Sequence, residues 1–211
     1  MAEQVGRFMD EYFYSKLGEE WKRVSDSELQ QRGVDVVLGD CKIDEKVKVK
    51  DGYLNRILEY PSFELSFVNR YLKRQLGWFV DKNNITDYYA FIAVYTDANG
   101  EYSINSDNID HLNVLFVNKI EMMQYVLDNN IDLGADIREL AGEDMGDRLE
   151  HTGTGIHIKL STQFSEKPIN MVVRRSILYR LDSTREFDIH RNFIQDTQEE
   201  KSCSDDSSFV L

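Results

Sequence analysis

Three residues in the first quarter of the chain have the types and spacing for hydrolytic chemistry: Asp35, Asp44 and Lys46. Two carboxylates held side by side repel each other unless a cation or a proton lies between them. A divalent cation, which prefers oxygen ligands, would convert that repulsion into a binding site. A lysine beside such a metal can orient or deprotonate a water molecule. The three side chains therefore indicate attack by a metal-activated water.

A predicted β-hairpin brings these residues together. Two runs rich in β-branched residues flank Gly39-Asp40, a pair suited to a two-residue turn. Counting outward from this turn places Asp35 opposite Asp44, with Cβ atoms roughly 4.5–5.5 Å apart. Because side chains alternate along a strand, Lys46 shares their face. A register slip of one residue would put the aspartates on opposite faces and remove the site.

The two faces of this hairpin differ in character. One face is apolar and suited to a core, and it carries Val34, Val36, Leu38, Cys41, Ile43, Val47 and Val49. Glu45 is the one polar residue on that face. The other face carries the two aspartates together with Val37, Lys42, Lys46 and Lys48. An alternative interpretation is that the aspartates are solvated strand residues neutralised by these lysines.

This arrangement, preceded by an amphipathic helix, resembles the PD-(D/E)xK nuclease superfamily, which has the restriction-endonuclease-like fold. Asp35 matches the family's first acid, and Asp44-Glu45-Lys46 matches its acid-x-lysine element. The resemblance covers residues 3 to about 95, and Glu45 occupies a position that is usually apolar in the family.

The resemblance implies a Mg²⁺- or Mn²⁺-dependent endonuclease that acts on DNA. Asp35, Asp44 and the main-chain carbonyl of Glu45 would hold the metal, and Lys46 would position the attacking water. Three further residues are candidates for binding substrate or supporting the metal ligands: Glu64, Gln31 and Glu20. Each also has a plain structural interpretation, as an exposed strand residue, a turn residue and a solvated helix residue respectively.

The chain as a whole predicts an α/β (α+β) protein, with a restriction-endonuclease-like mixed sheet flanked by helices. We expect a nuclease-like core over residues 1–100, an α/β C-terminal extension packed on the core over 101–185, and a polar, disordered tail over 186–211. The periodicity predicts helices over 3–24, 27–31, 119–128, 136–149 and 176–181. Strands are predicted over 62–68, 76–80, 85–95, 112–117, 156–160 and 168–175.

Composition limits the function classes. The 211 residues carry a net charge of −13, which argues against a protein that coats nucleic acid. Residues 101–150 hold 12 acidic and 3 basic residues, so this block is a candidate surface for a protein partner or a second copy of the chain. A non-catalytic binding or regulatory protein is therefore the alternative function.

Targeting features are not visible in the sequence. No run of about 18 apolar residues predicts a membrane span, and the first residues do not form a signal peptide. Two cysteines, Cys41 and Cys203, do not make a disulfide framework. We therefore expect a cytoplasmic protein.

Overall fold

The computed structural model describes residues 2–49, 60–96, 104–142 and 148–197. Within these ranges the chain forms twelve strands and five α-helices. The helices are α1 (Ala2–Tyr12), α2 (Ser27–Gln31), α3 (Lys119–Asp128), α4 (Leu133–Gly142) and α5 (Arg175–Leu178). The strands are β1 (Trp21–Arg23), β2 (Val36–Leu38), β3 (Cys41–Val49), β4 (Ser62–Val68), β5 (Arg74–Leu76), β6 (Tyr88–Thr96), β7 (Ile109–Asn118), β8 (Arg148–His151), β9 (Ile156–Leu160), β10 (Ile169–Val173), β11 (Arg185–His190) and β12 (Ile194–Asp196).

These strands form two sheets, so the protein is mixed α+β. The seven-stranded sheet has the order β1-β2-β3-β6-β7-β11-β12, with β3 and β6 parallel and the other neighbours antiparallel. The five-stranded sheet has the order β5-β4-β10-β9-β8 and is antiparallel throughout.

The core has two layers, one on each face of the seven-stranded sheet. On one face, Phe8 and Phe13 of the N-terminal segment pack with Ile92 of β6. On the other face, Phe91 of β6 packs with Phe63 of β4. β6, which corresponds to the strand predicted over 85–95, is therefore apolar on both faces, as is typical of a central strand.

The hairpin has the predicted register. Val36 pairs with Ile43, and Leu38 pairs with Cys41 across the turn. Gly39 has a φ of +55°, a conformation that glycine adopts without steric cost in such turns. The ladder between β2 and β3 begins at Val36, so Asp35 lies just outside it.

Two predicted element boundaries were wrong, because a turn or pairing with another strand overrode the local hydrophobic periodicity. The predicted strand at 76–80 ends at Leu76, and a turn follows in which Gly77 O accepts hydrogen bonds from the N–H groups of Val80 and Asp81, at 3.2 and 3.0 Å. The predicted helix over 3–24 ends at Tyr12, because Trp21–Arg23 instead pairs with β2 as the edge strand β1.

The acidic segment shows a similar difference. The predicted helix over 136–149 is α4, which covers 133–142, and Leu149 belongs to strand β8.

The C-terminal part differs from the expected polar tail. Residues 185–196 form β11 and β12, which extend the seven-stranded sheet. Alternation places Phe187 and Ile189 in the core, where they are 2% and 0% exposed, and this burial stabilises the strand. Residues 198–211 of the predicted tail lie outside the described residues. β7, from the predicted extension, pairs directly with β6 of the predicted core.

None of the described helices is long and apolar enough to cross a membrane.

Candidate active site

Asp44 is the buried acid at the centre of the candidate site. It lies on β3 next to Tyr89 of β6, on the face turned toward the five-stranded sheet, and it is 3% exposed. Its Oδ2 atom lies 2.7 Å from the Lys46 ammonium. Lys46 is thus the close cationic partner of this oxygen, and Asp35 lies beside the same carboxyl group. A buried oxygen in this state is suited to binding a cation.

Asp35 reaches the same place from the start of β2. Its main-chain N–H donates to Ile43 O and its carbonyl accepts from Val24 N–H, both at 2.8 Å. Its side-chain Oδ2 accepts from Glu45 N–H at 2.8 Å. The Asp35 carboxylate thus accepts the β3 main-chain hydrogen bond that a main-chain carbonyl of the neighbouring strand would otherwise accept. It lies beside Asp44.

The environment of Asp44 raises its pKa to about 7. Burial is the largest cause, because it penalises the charged form. Lys46 acts in the opposite direction and lowers the pKa, whereas the neighbouring Asp35 raises it. Asp44 is therefore partly protonated near neutral pH, and a divalent cation could replace that proton.

Lys46 is held in place by an aromatic surface. Its ammonium lies 4.5 Å from the centroid of the Trp78 ring, a cation–π distance. Trp78 packs on Tyr89 with ring centroids 4.6 Å apart, and the Tyr89 hydroxyl donates to Trp78 O at 3.3 Å. Burial and the charge of Asp44 raise the pKa of Tyr89. Lys46 therefore has one aromatic and one anionic neighbour in a fixed arrangement.

Glu64 approaches this site from the five-stranded sheet. Burial raises the pKa of Glu64, the charge of Lys46 lowers it, and Glu166 raises it. The turn that carries Trp78 packs against this part of β4, since a Cβ atom added at Gly77 would lie 2.5 Å from the Glu64 carbonyl carbon. The tertiary structure thus adds Glu64 to the vicinity of the hairpin residues.

A second lysine, which sequence analysis did not identify, faces the acids. Lys119 Nζ donates to the main-chain and side-chain oxygens of Asn84, both at 2.9 Å. Burial lowers the pKa of Lys119, while Asp81, Asp44 and Asp87 raise it. Neither Lys119 nor Trp78 belongs to a local sequence motif. The sequence offered one sign of the turn that carries Trp78, which is the glycine directly before it, Gly77.

Glu45 points to the opposite face of the hairpin, as its register position predicted. Its carboxylate accepts hydrogen bonds from Tyr14 Oη at 3.0 Å and Arg23 Nη1 at 2.8 Å. Arg23 also pairs with Asp10 at 2.7 Å. Burial raises the pKa of Glu45, although Arg23 and Tyr14 act in the opposite direction. The Glu45 side chain therefore joins α1, β1 and β3, and its main-chain carbonyl is the group left for a metal.

Two other candidates lie on the surface, away from the aspartates. The Glu20 carbonyl accepts from Gly39 N–H at 2.8 Å, which places Glu20 at the turn end of the hairpin. Gln31 is exposed at the end of α2. Among the described residues, no hydrogen bond joins either side chain to Asp35 or Asp44.

The donors present fit a hard divalent cation that keeps part of its water shell. Among the described residues, no group of three or more His, Cys, Asp and Glu side chains is arranged to hold a metal ion. Asp35 and Asp44 supply two neighbouring carboxyl groups, and that of Asp44 is buried. Mg²⁺ is commonly bound by one or two carboxylates and several waters, so the donor set suits Mg²⁺ or Mn²⁺.

Comparison of the chain with protein-family models, with curated proteins and with solved structures gave no significant match.

Proposed function

We propose that this protein is a metal-dependent phosphodiester hydrolase, an endonuclease that acts on DNA. The observation that carries the proposal is the buried Asp44 carboxyl group, which lies beside the carboxylate of Asp35 and 2.7 Å from the Lys46 ammonium. Perturbed acids next to a lysine are typical of hydrolytic sites.

Each residue of the site has a distinct role in this proposal. Asp35, Asp44 and the Glu45 carbonyl would hold the metal. The bound Mg²⁺ would lower the pKa of a water ligand and stabilise negative charge on the phosphate. Lys46, oriented by Trp78, donates a hydrogen bond to the attacking water or to a phosphate oxygen. Glu64, whose pKa burial raises and the charge of Lys46 lowers, is a candidate for binding substrate near this lysine.

The arrangement also supports the resemblance to the PD-(D/E)xK nucleases as part of this proposal. The two acids and Lys46 lie on one face of a mixed sheet, and α1 packs on the other face. The restriction-endonuclease-like fold is proposed on these features.

One observation favours a non-catalytic alternative. Lys46 already neutralises Asp44 at 2.7 Å, so the cluster could be a structural ion pair in a binding or regulatory protein. In that case the protein would have protein partners rather than a nucleic-acid substrate.

Cleavage of supercoiled plasmid and single-stranded circular DNA, with Mg²⁺ and with Mn²⁺, tests the proposal. We expect Lys46→Ala to lower the cleavage rate by about 100-fold or more. Lys42→Ala is the matched control, because Lys42 lies on the same strand and face, two residues on the other side of Asp44. Its rate should change by less than about threefold, since Lys42 contacts Asp87 rather than Asp44.

A metal titration distinguishes the alternative. If neither metal supports cleavage or raises the melting temperature of the wild type, the hydrolase proposal is wrong and the structural ion pair remains.

A further inference from the structure

A second polar region lies on the far face of the five-stranded sheet. There, β8, β9, β10 and the start of α5 line an open cleft of about 710 Å³. Along β9 the alternate residues Ile156 and Ile158 enter the core, whereas His157 and Lys159 line the cleft. The cleft is therefore on the side of this sheet that does not pack against the seven-stranded sheet.

The cleft concentrates positive charge in a chain whose net charge is −13. Lys159, Arg174 and Arg180 are exposed there, and none of the three has an ion pair among the described residues. Arg148 also lines the cleft and pairs with Glu150 at 2.7 Å. Guanidinium groups match the geometry of phosphate oxygens, so the charge is complementary to a phosphorylated ligand.

The surroundings of His157 reflect the same cluster of basic residues. Burial lowers its pKa, and the charges of Arg148, Lys159 and Arg174 lower it further, while Glu150 acts in the opposite direction. Basic groups from three elements therefore surround one partly buried ring.

One rim of the cleft is rigidly built. Gly155 has a φ of +70°, and a Cβ atom there would lie 2.6 Å from Ile177 Cγ1. Its carbonyl accepts from Arg174 N–H at 3.0 Å, and the Thr154 carbonyl accepts from Tyr125 Oη at 2.8 Å. Arg174 is thus anchored through its main chain, with its side chain in the cleft.

Strand register brings two of the basic residues to one face of the five-stranded sheet. Lys159 of β9 pairs with Arg148 of β8. Because directly paired residues project to the same face of a sheet, both side chains lie on the face turned away from the seven-stranded sheet.

We infer that this cleft binds the phosphates of a nucleic acid. The inference rests on the proposed function for the identity of the substrate. Binding can nevertheless be measured with no divalent metal present, so it can fail or succeed independently of cleavage.

The experiment is fluorescence anisotropy with the full chain in EDTA, using a labelled duplex and its separated strand. We expect Lys159→Glu/Arg174→Glu to weaken binding by about tenfold or more, and to reduce the slope of log Kd against log salt by about 2. The control is Arg7→Glu/Lys22→Glu, which makes the same change in net charge at two exposed residues outside the cleft. It should change Kd by less than about twofold.

Three outcomes would overturn the inference: equal effects of the two double variants, an unchanged salt slope, or equally tight binding of polyglutamate with the same dependence on Lys159 and Arg174. A fourth is stabilisation by inorganic phosphate with no binding of either oligonucleotide, which would make the cleft a small-anion site. If the variants change binding as expected but no cleavage is detected, the proposed hydrolase activity is wrong and the inference that the cleft binds nucleic acid stands.

Discussion

Asp44 is the residue whose ionisation couples folding to the chemistry of the site. It is buried, it lies beside a second carboxylate, and it forms an ion pair with Lys46. Burial alone would favour the neutral acid, and the lysine only partly offsets that cost. A metal would supply the missing positive charge, so stability, pH and metal binding should be linked through this side chain.

The pH dependence of stability follows from the pKa of Asp44. In the unfolded chain the carboxyl titrates near 3.8, and in the folded protein near 7. Between these values the folded state binds more protons, so without metal the free energy of unfolding should fall as pH rises from about 4 to about 7. At about 1.4 kcal/mol per pKa unit, the loss is at most about 4 kcal/mol.

Urea unfolding of the wild type and Asp44→Asn between about pH 4 and 8 measures this contribution. Other acids titrate in both proteins and cancel in the difference between the two free energies of unfolding. That difference should grow toward high pH, with Asp44→Asn the more stable, because Asp44 ionises only in the wild type. Mg²⁺ should stabilise the wild type at high pH and leave Asp44→Asn unchanged. A difference curve that does not vary with pH would show that Asp44 is not the titrating group.

Glu45 shows how a residue can break the pattern of its strand without breaking the fold. Its register position places a carboxylate on the apolar face, where its side chain is 7% exposed. Arg23 and Tyr14 satisfy that carboxylate, and Arg23 also binds Asp10. A buried charge that is paired and hydrogen-bonded is tolerated, so the polar residue fastens α1 to the sheet.

At the scale of elements, the turn after β5 positions the aromatic support of Lys46. Gly77 O accepts two main-chain hydrogen bonds within this turn, and Phe79 N–H donates to Glu64 O at 3.1 Å. Trp78 is thereby placed over Lys46, and Phe79 enters the core. The turn connects the site to both sheets.

Gly77→Ala tests the role of this turn. The added methyl group would overlap the main chain of Glu64, so we expect a loss of about 1–3 kcal/mol in stability. Displacement of Trp78 should also weaken metal binding. Gly142→Ala is the control, because a Cβ atom there meets no atom within 4 Å, and it should be neutral or stabilising by up to about 1 kcal/mol.

Urea unfolding and Mn²⁺ titration of both glycine variants provide the measurement. Equal stabilities and metal affinities for the two variants would contradict the close packing of Gly77 against β4.

At the scale of the whole molecule, both sheets are assembled from distant parts of the chain. β6 is parallel to β3 on one side and antiparallel to β7 on the other, and β11 follows β7. In the five-stranded sheet, β4 pairs with β10, about 100 residues later in the chain. The predicted division at residue 100 therefore falls between directly paired strands.

A fragment of residues 1–100 should not fold cooperatively. It would lose β7, leaving the edge and one apolar flank of β6 uncovered, and β4 would lose β10. Uncovered edges and apolar surface favour aggregation over folding. Near-ultraviolet circular dichroism and calorimetry, with the full chain as reference, measure this. A sharp melting transition with native-like aromatic signals in the fragment would establish residues 1–100 as an independent domain.

The sequence by itself determined the local features of this protein. Alternation and the Gly39-Asp40 turn gave the hairpin register, the two faces of β3 and the apolar character of β6. The position of Asn118 before a periodic segment gave the start of α3, where its side chain accepts from Ile120 and Glu121 N–H. Such features depend on residues close together in the sequence, so hydrophobic periodicity and turn-forming residues predict them.

Only the tertiary structure decided which distant residues complete the site. Trp78, Glu64 and Lys119 reach the hairpin through packing of separate strands and turns, and Arg23 reaches Glu45 across β2. Contacts between residues far apart in sequence leave no periodic pattern, because burial and pairing are properties of the assembled sheets. For Asp44 the sequence determined the face on which it lies, and burial between the sheets determined its pKa.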